Sequence, residues 1–105
     1  MIRVPTHREP THPGEMLRDE FLTPLGLTRR SLADAIDVPY RRVSDVVNAR
    51  RSVTPGLALR LAKYLVTSAE LWLNLQERWD LYHAARTEAE VLRRIRPVQR
   101  SRRAA

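Results

Sequence analysis

The chain has no cysteine in its 105 residues. Disulfide frameworks, thiolate zinc sites and cysteine nucleophiles are therefore excluded. Its three glycines, Gly14, Gly26 and Gly56, stand far apart, so no glycine-rich loop can cradle a phosphate. No apolar run approaches the roughly 18 residues of a membrane span. Residues 1–13 carry charge and three prolines but no apolar stretch, so no secretory signal is expected and the cytoplasm is the expected compartment. His7, Glu9 and His12 share a proline-rich arm without regular ligand spacing, and His83 is remote in sequence. No metal or other cofactor is expected. The serines, Ser31, Ser44, Ser52, Ser68 and Ser101, sit in no nucleophile motif, and no enzyme chemistry is expected.

Cations are abundant: 19 basic against 12 acidic residues, a net +7, with Lys63 the single lysine. A basic protein suggests a nucleic-acid partner, although membranes and acidic proteins also attract cations. The distribution says more. Val91 to Ala105 holds six arginines and no acid, whereas Val66 to Glu90 sums to −3. Arg29 to Arg51 sums to +3, and arginine presents a planar fork suited to phosphates and base edges.

The apolar spacing is helical throughout. Residues 1–12 form an arm in which Pro5 and Pro10 bar a continuous helix. A first helix is predicted from Pro13 or Gly14 to Leu22, with Leu17, Phe21, Leu22 and Leu25 on one face and Pro24 and Gly26 ending it. Thr28 caps a second, which stops near Asp37. A third runs from Tyr40 to Asn48, where Asn48 is the expected left-handed stop. Thr54-Pro55 opens a fourth, burying Ala58, Leu61, Ala62 and Leu65. Ser68 opens a fifth, reaching about Arg86, with more apolar surface than one stripe can hold. Thr87 is expected to cap a short last helix, Glu88 to Ile95, before a basic tail without ordered structure. The expected architecture is all-α: an arm over 1–12, a five-helix domain over 13–86 and a helical extension with the basic tail over 87–105.

The stretch that carries chemistry is RRSLADAIDVPYRRVSDVVN, Arg29 to Asn48. Counted as a 20-residue helix-turn-helix, it places Leu32, Ile36, Val38, Val43 and Val46 at the five positions that must be apolar. Small Ala33 falls where the two helices cross. The bland alternative is two ordinary packed helices. Asp37 stands where the turn commonly has glycine, and Pro39 where a polar cap is common. In this unit the second helix lies in the major groove. Tyr40, Arg41, Ser44 and Asp45 face away from the apolar side and point to base edges. Arg41 suits a bidentate contact to guanine, worth roughly 1–3 kcal/mol of discrimination. Arg29, Arg30, Arg42, Arg50 and Arg51 suit phosphates, and Asn48 closes the DNA-facing set.

His12-Pro13-Gly14-Glu15-Met16-Leu17, then Leu25-Gly26-Leu27-Thr28, the helix-turn-helix, Ala58-Leu59-Arg60-Leu61-Ala62 and Leu71-Trp72-Leu73-Asn74-Leu75-Gln76, succeed one another in order and close on Trp79-Asp80-Leu81. This order resembles the HigA (VapI-like) antitoxins, a branch of the lambda-repressor-like helix-turn-helix proteins, over roughly residues 10–86. Asp37, Pro39 and Ala49-Arg50 depart from its usual glycine, polar cap and Asn-Gly pair. The resemblance implies a DNA-binding antitoxin that represses its own operon as a dimer. It also implies a partner, a HigB-type, RelE-like mRNA-cleaving toxin that the antitoxin binds and neutralises. Dimer contacts in the C-terminal helices map to Leu71, Trp72, Leu75, Trp79 and Tyr82. A basic toxin would meet acidic surface, with Glu15, Asp19 and Glu20 as candidates beside Glu70, Glu77 and Asp80. Two alternatives are a solitary helix-turn-helix regulator with no toxin, which a neighbouring toxin gene would exclude, and a protein-binding adaptor.

Overall fold

The computed structural model describes residues 8–99, all of whose regular elements are helices. His7 and the tail residues Arg100, Arg102 and Arg103 lie outside the described residues.

His12 starts α1 (Pro13–Leu17): its Nδ1 accepts from the Gly14 N–H at 2.9 Å, and Pro13 comes next, at the position that needs no N–H. The rod does not stop at Leu22 as the sequence predicted. It passes through a wider π turn (Arg18–Leu22) into α2 (Thr23–Leu25). In an α-helix the Pro24 ring would press on the carbonyl four residues back. Here the Thr23 N–H donates to the Arg18 carbonyl, five residues back, and the wider turn gives the ring room. The inserted residue also rotates the last turn of the rod. Leu17 and Leu22 are buried, but Leu25, predicted for the same face, is 60% exposed. Gly26 ends the rod at φ 66°, a left-handed conformation that glycine takes without strain, and the Leu27 N–H closes on the Leu22 carbonyl at 2.8 Å.

α3 (Arg29–Ile36) opens on a reciprocal capping box: Thr28 accepts from the Ser31 N–H and Ser31 accepts from the Thr28 N–H, both at 2.9 Å. α4 (Tyr40–Val47) begins after three residues. The left-handed stop falls on Ala49 (φ 61°), not on Asn48 as predicted; Asn48 stays at φ −85°. α5 (Pro55–Leu65) is capped by Thr54 and ends on Val66 in the left-handed region (φ 56°). α6 (Ala69–Thr87) is capped by Ser68. Thr87, expected to cap the last helix, instead closes α6, its hydroxyl donating to the His83 carbonyl. Glu88 precedes α7 (Ala89–Arg94) without a side-chain cap bond. With α1, the π turn and α2 taken as one rod, five rods build the domain and α7 extends it.

The core joins Leu17 and Leu22 to Leu32, Ala33, Ile36, Val38, Val43, Val46 and Val47, and then to Val53, Leu57, Ala58, Leu61 and Trp72. Trp72 is fully buried in the single chain, and its indole N–H donates to the Thr67 hydroxyl at 2.9 Å. This corrects the expectation that Trp72 faces a second copy: an indole already enclosed by its own chain offers no surface. Ala62 and Leu65, expected inside, are only partly covered at the edge of α5.

Candidate nucleic-acid interface

α3 and α4 meet at Asp37, which takes φ 58° and ψ 52°. Aspartate tolerates this region better than most side chains, which lets the turn form without its usual glycine. The Asp37 and Val38 N–H groups both close on the Ala33 carbonyl, the double closure that ends many helices. Pro39 then opens α4 with no side-chain cap bond. Val43, Val46 and Val47 are buried, which turns the opposite face of α4 outward.

On that face and on the α3 and loop residues beside it, most of the candidate side chains are held by a neighbour. Arg29 donates to the Ser44 hydroxyl at 3.0 Å, tying α3 to α4. The Arg30 guanidinium lies 4.6 Å from the Tyr40 ring centre, a stacking worth about 0.5–1 kcal/mol at an exposed site. Arg42 donates to the Thr54 hydroxyl at 2.8 Å and so links α4 to the cap of α5. Arg51 lies 3.7 Å from the Asp45 carboxylate. Arg41 and Arg50 are exposed, and among the described residues neither has a hydrogen-bonded or ion-paired partner for its guanidinium. Asn48 is exposed at the far end of α4. All ten candidate residues thus lie on α3, α4 or the loop after α4.

Three groups that hold this face in place had no role predicted from the sequence. Arg60 on α5 reaches back and donates to the Ile36 carbonyl at 2.7 Å and the Asp37 carbonyl at 3.0 Å. Gln76 is buried; its Oε1 accepts from the Val53 N–H at 2.8 Å and its Nε2 donates to Asp80. Gly14 lies against α4 itself: a Cβ there would sit 1.9 Å from the Val46 carbonyl oxygen. Gly14 belongs to the His12–Leu17 motif and Gln76 to the Leu71–Gln76 motif, but spacing alone could not say which backbone each meets.

The other candidate surfaces sit on different elements. Leu71 and Leu75 on α6 are half-buried, and Tyr82 is nearly covered with the Arg86 guanidinium over its ring. Trp79 packs edge-on against the buried His12 ring, 4.9 Å away, and against His83, 4.5 Å away. Burial lowers the pKa of His12, with Asp80 and Glu15 opposing. Glu15, Asp19 and Glu20 are all exposed on α1 and the π turn. Asp19 accepts from Arg18 at 2.8 Å, which holds its carboxyl below the usual carboxylate range. Among the described residues no group of three His, Asp or Glu side chains could hold a metal ion, and no helix is long and apolar enough to cross a membrane.

The chain matches the helix-turn-helix family over residues 17–72. It is 37% identical over 93 residues to antitoxin HigA-1 of Vibrio cholerae, covering 89% of this chain and 88% of that protein. It is 40% identical over 80 residues to virulence-associated protein I of Dichelobacter nodosus, covering 76% and 74% respectively. Its fold superposes with a TM-score of 0.83, at 37% identity, on the antitoxin HigA of Pseudomonas aeruginosa solved with the higBA promoter, over 87% of this chain and all of that one.

Proposed function

We propose that this chain, which belongs to the helix-turn-helix family and within it to the HigA antitoxins, is an antitoxin that binds operator DNA, represses its own operon and neutralises a HigB-type toxin. The observation that carries the DNA half is the outward face of α4. There Arg41 stands exposed near the helix N-terminus, while Arg42 on α4, Arg29 and Arg30 on α3 and Arg51 in the loop after α4 are each braced by a neighbour. Pre-ordered side chains lose less freedom on binding. Likeness to an antitoxin solved with promoter DNA supports the same reading.

The toxin half rests on family membership. The partner is an RNA-cleaving protein with a basic surface, and the exposed carboxylates Glu15, Asp19 and Glu20 offer the complementary charge. An operon and a messenger RNA as targets imply action in the cytoplasm. The chain acts as a homodimer through α6, where Leu71 and Leu75 keep apolar surface that the single chain leaves half open. A Leu71→Asp, Leu75→Asp variant of unchanged helicity is expected to sediment as a monomer; a dimer would move the interface elsewhere.

The test of the whole is expression of this chain together with the protein encoded beside it. Co-purification, RNA cleavage by the partner alone, and its arrest by stoichiometric addition of this chain are expected. Cleavage that persists, or a neighbour that neither binds nor cleaves, would leave a solitary regulator.

A further inference from the structure

We infer that Arg60 is a positioning residue for DNA recognition: from α5 it clamps the carbonyls of the turn between α3 and α4 and so sets where α4, the helix proposed to read bases, points. The proposal rests on the operator-binding reading. A helix leaves its last carbonyls without partners. In α3 the Ala33 and Asp34 carbonyls are taken up by the N–H groups of Asp37 and Val38. The Ile36 and Asp37 carbonyls, at the end of the helix and in the turn, receive the Arg60 guanidinium at 2.7 and 3.0 Å. A cation at this end also meets the negative pole of the helix dipole. Among the described residues no other side chain donates to the backbone of residues 36–39.

This turn has reason to need a clamp. Asp37 sits at φ 58°, where a residue with a Cβ is strained. Pro39, next in line, gives α4 no side-chain cap. Val38 is the turn's one buried side chain. The N-terminal end of α4, which carries Tyr40 and Arg41, comes directly after it. Arg60 is anchored by its flanks: Leu57, Ala58 and Leu61 of α5 are buried in the core. The guanidinium therefore transmits the position of α5 to the turn. It stands in for the glycine that would relax the backbone there.

The test uses the whole chain as Arg60→Met, Asp37→Gly and the double variant, at a temperature where circular dichroism shows all of them folded. The probes are a duplex enriched by the wild-type protein from a random-sequence library and an unrelated duplex of equal length. Arg60→Met is expected to weaken the enriched duplex about tenfold or more, the loss of roughly one base-reading pair. Binding to the unrelated duplex and the salt slope should hold. Adding Asp37→Gly should recover part of the loss. Amide exchange at Asp37 and Val38, read without DNA, should quicken in Arg60→Met and slow again in the double variant. Equal weakening on both duplexes with the salt slope flattened by about one would make Arg60 a phosphate contact and overturn the proposal. So would unchanged binding or unchanged exchange. If the wild-type protein enriches no duplex, the operator-binding reading itself fails and the proposal falls with it; enrichment with an indifferent Arg60→Met sinks the proposal alone.

Discussion

Adding one methyl group at Gly14 should cost this protein about as much as truncating a buried core side chain. The Cβ of Gly14→Ala would lie 1.9 Å from the Val46 oxygen, 2.7 Å from the Val46 carbonyl carbon and 2.9 Å from the Val47 Cα. All three are backbone atoms of α4, so no side chain can rotate away. α1 and α4 must part by roughly 1 Å, which opens the contact that buries Pro13, Leu17 and Val46. Overpacking a tight core costs about 1–3 kcal/mol, and a clash between two backbones belongs at or above the top of that range. Helix propensity works the other way, favouring alanine by about 1 kcal/mol at most. Gly56, on the exposed start of α5, isolates that smaller effect because a Cβ there meets nothing within 4 Å. The same substitution should therefore have opposite signs at the two sites. For a domain of this size, about 3 kcal/mol corresponds to a fall in Tm of roughly 10–20 °C. Thermal unfolding followed by circular dichroism should show Gly14→Ala lowered by such an amount and Gly56→Ala unchanged or slightly raised. DNA binding should fall in Gly14→Ala even where the variant remains folded. A Gly14→Ala protein as stable as the wild type would refute the packing of α1 on α4.

Three further outcomes rest on particular contacts. Val66 is a β-branched residue at φ 56° with 89% of its surface exposed, so Val66→Gly should raise stability by about 1 kcal/mol in urea titrations; a loss would place an unseen role on its side chain. Burial lowers the pKa of His12 from the ordinary 6.5, so the unfolded chain takes up this proton first as pH falls. His12 therefore contributes stability above pH 6.5 that is lost from there down to its lowered folded value. Urea midpoints should drop between neutral pH and about pH 5, and drop less in His12→Asn, which keeps a capping side chain; equal drops in both proteins would remove His12 as the cause. On DNA, Arg41→Ala should relax sequence preference, whereas Arg50→Ala should weaken all duplexes alike and flatten the salt slope by about one. Unchanged binding in both would move the DNA face off α4.

The helix-turn-helix was legible because its demands are local. Leu32, Ile36, Val38, Val43 and Val46 all fall at the required spacings and all are buried. Capping was legible for the same reason: Thr28, Thr54 and Ser68 each accept from an N–H three residues on. What failed depended on a shift of register or on a distant neighbour. The π turn adds a residue before Pro24 and throws Leu25 outward, and nothing in an apolar period encodes an inserted residue. Trp72 sits among other apolar residues of α6, so its sequence could not distinguish core from interface; its neighbours in the fold, Phe21 and Thr67 among them, decide. Asn48 and Ala49 differ by one step in which residue turns left-handed, below the precision with which helix ends can be read.

Net charge pointed to nucleic acid, but six of the basic residues lie at or beyond α7. The proposed DNA face depends instead on how two short helices are framed. α3 and α4 have eight residues each, too few to persist alone in water. Three other elements grip them from outside. α1 meets α4 through the bare backbone of Gly14. α5 holds the turn through Arg60 and receives Arg42 at its cap. α6 holds the loop beyond α4 through Gln76 on the Val53 N–H. That last bond links the helix proposed to carry the dimer contact to the backbone just past the DNA face. Dimer formation and DNA binding should then couple through Gln76. In a Gln76→Leu variant that remains dimeric, the buried Val53 N–H loses its partner, a cost of about 1–3 kcal/mol. The loop bearing Arg50 and Arg51 should loosen, and affinity for all duplexes should fall. Undiminished affinity in a dimeric Gln76→Leu protein would show that the DNA face is framed by α1 and α5 alone.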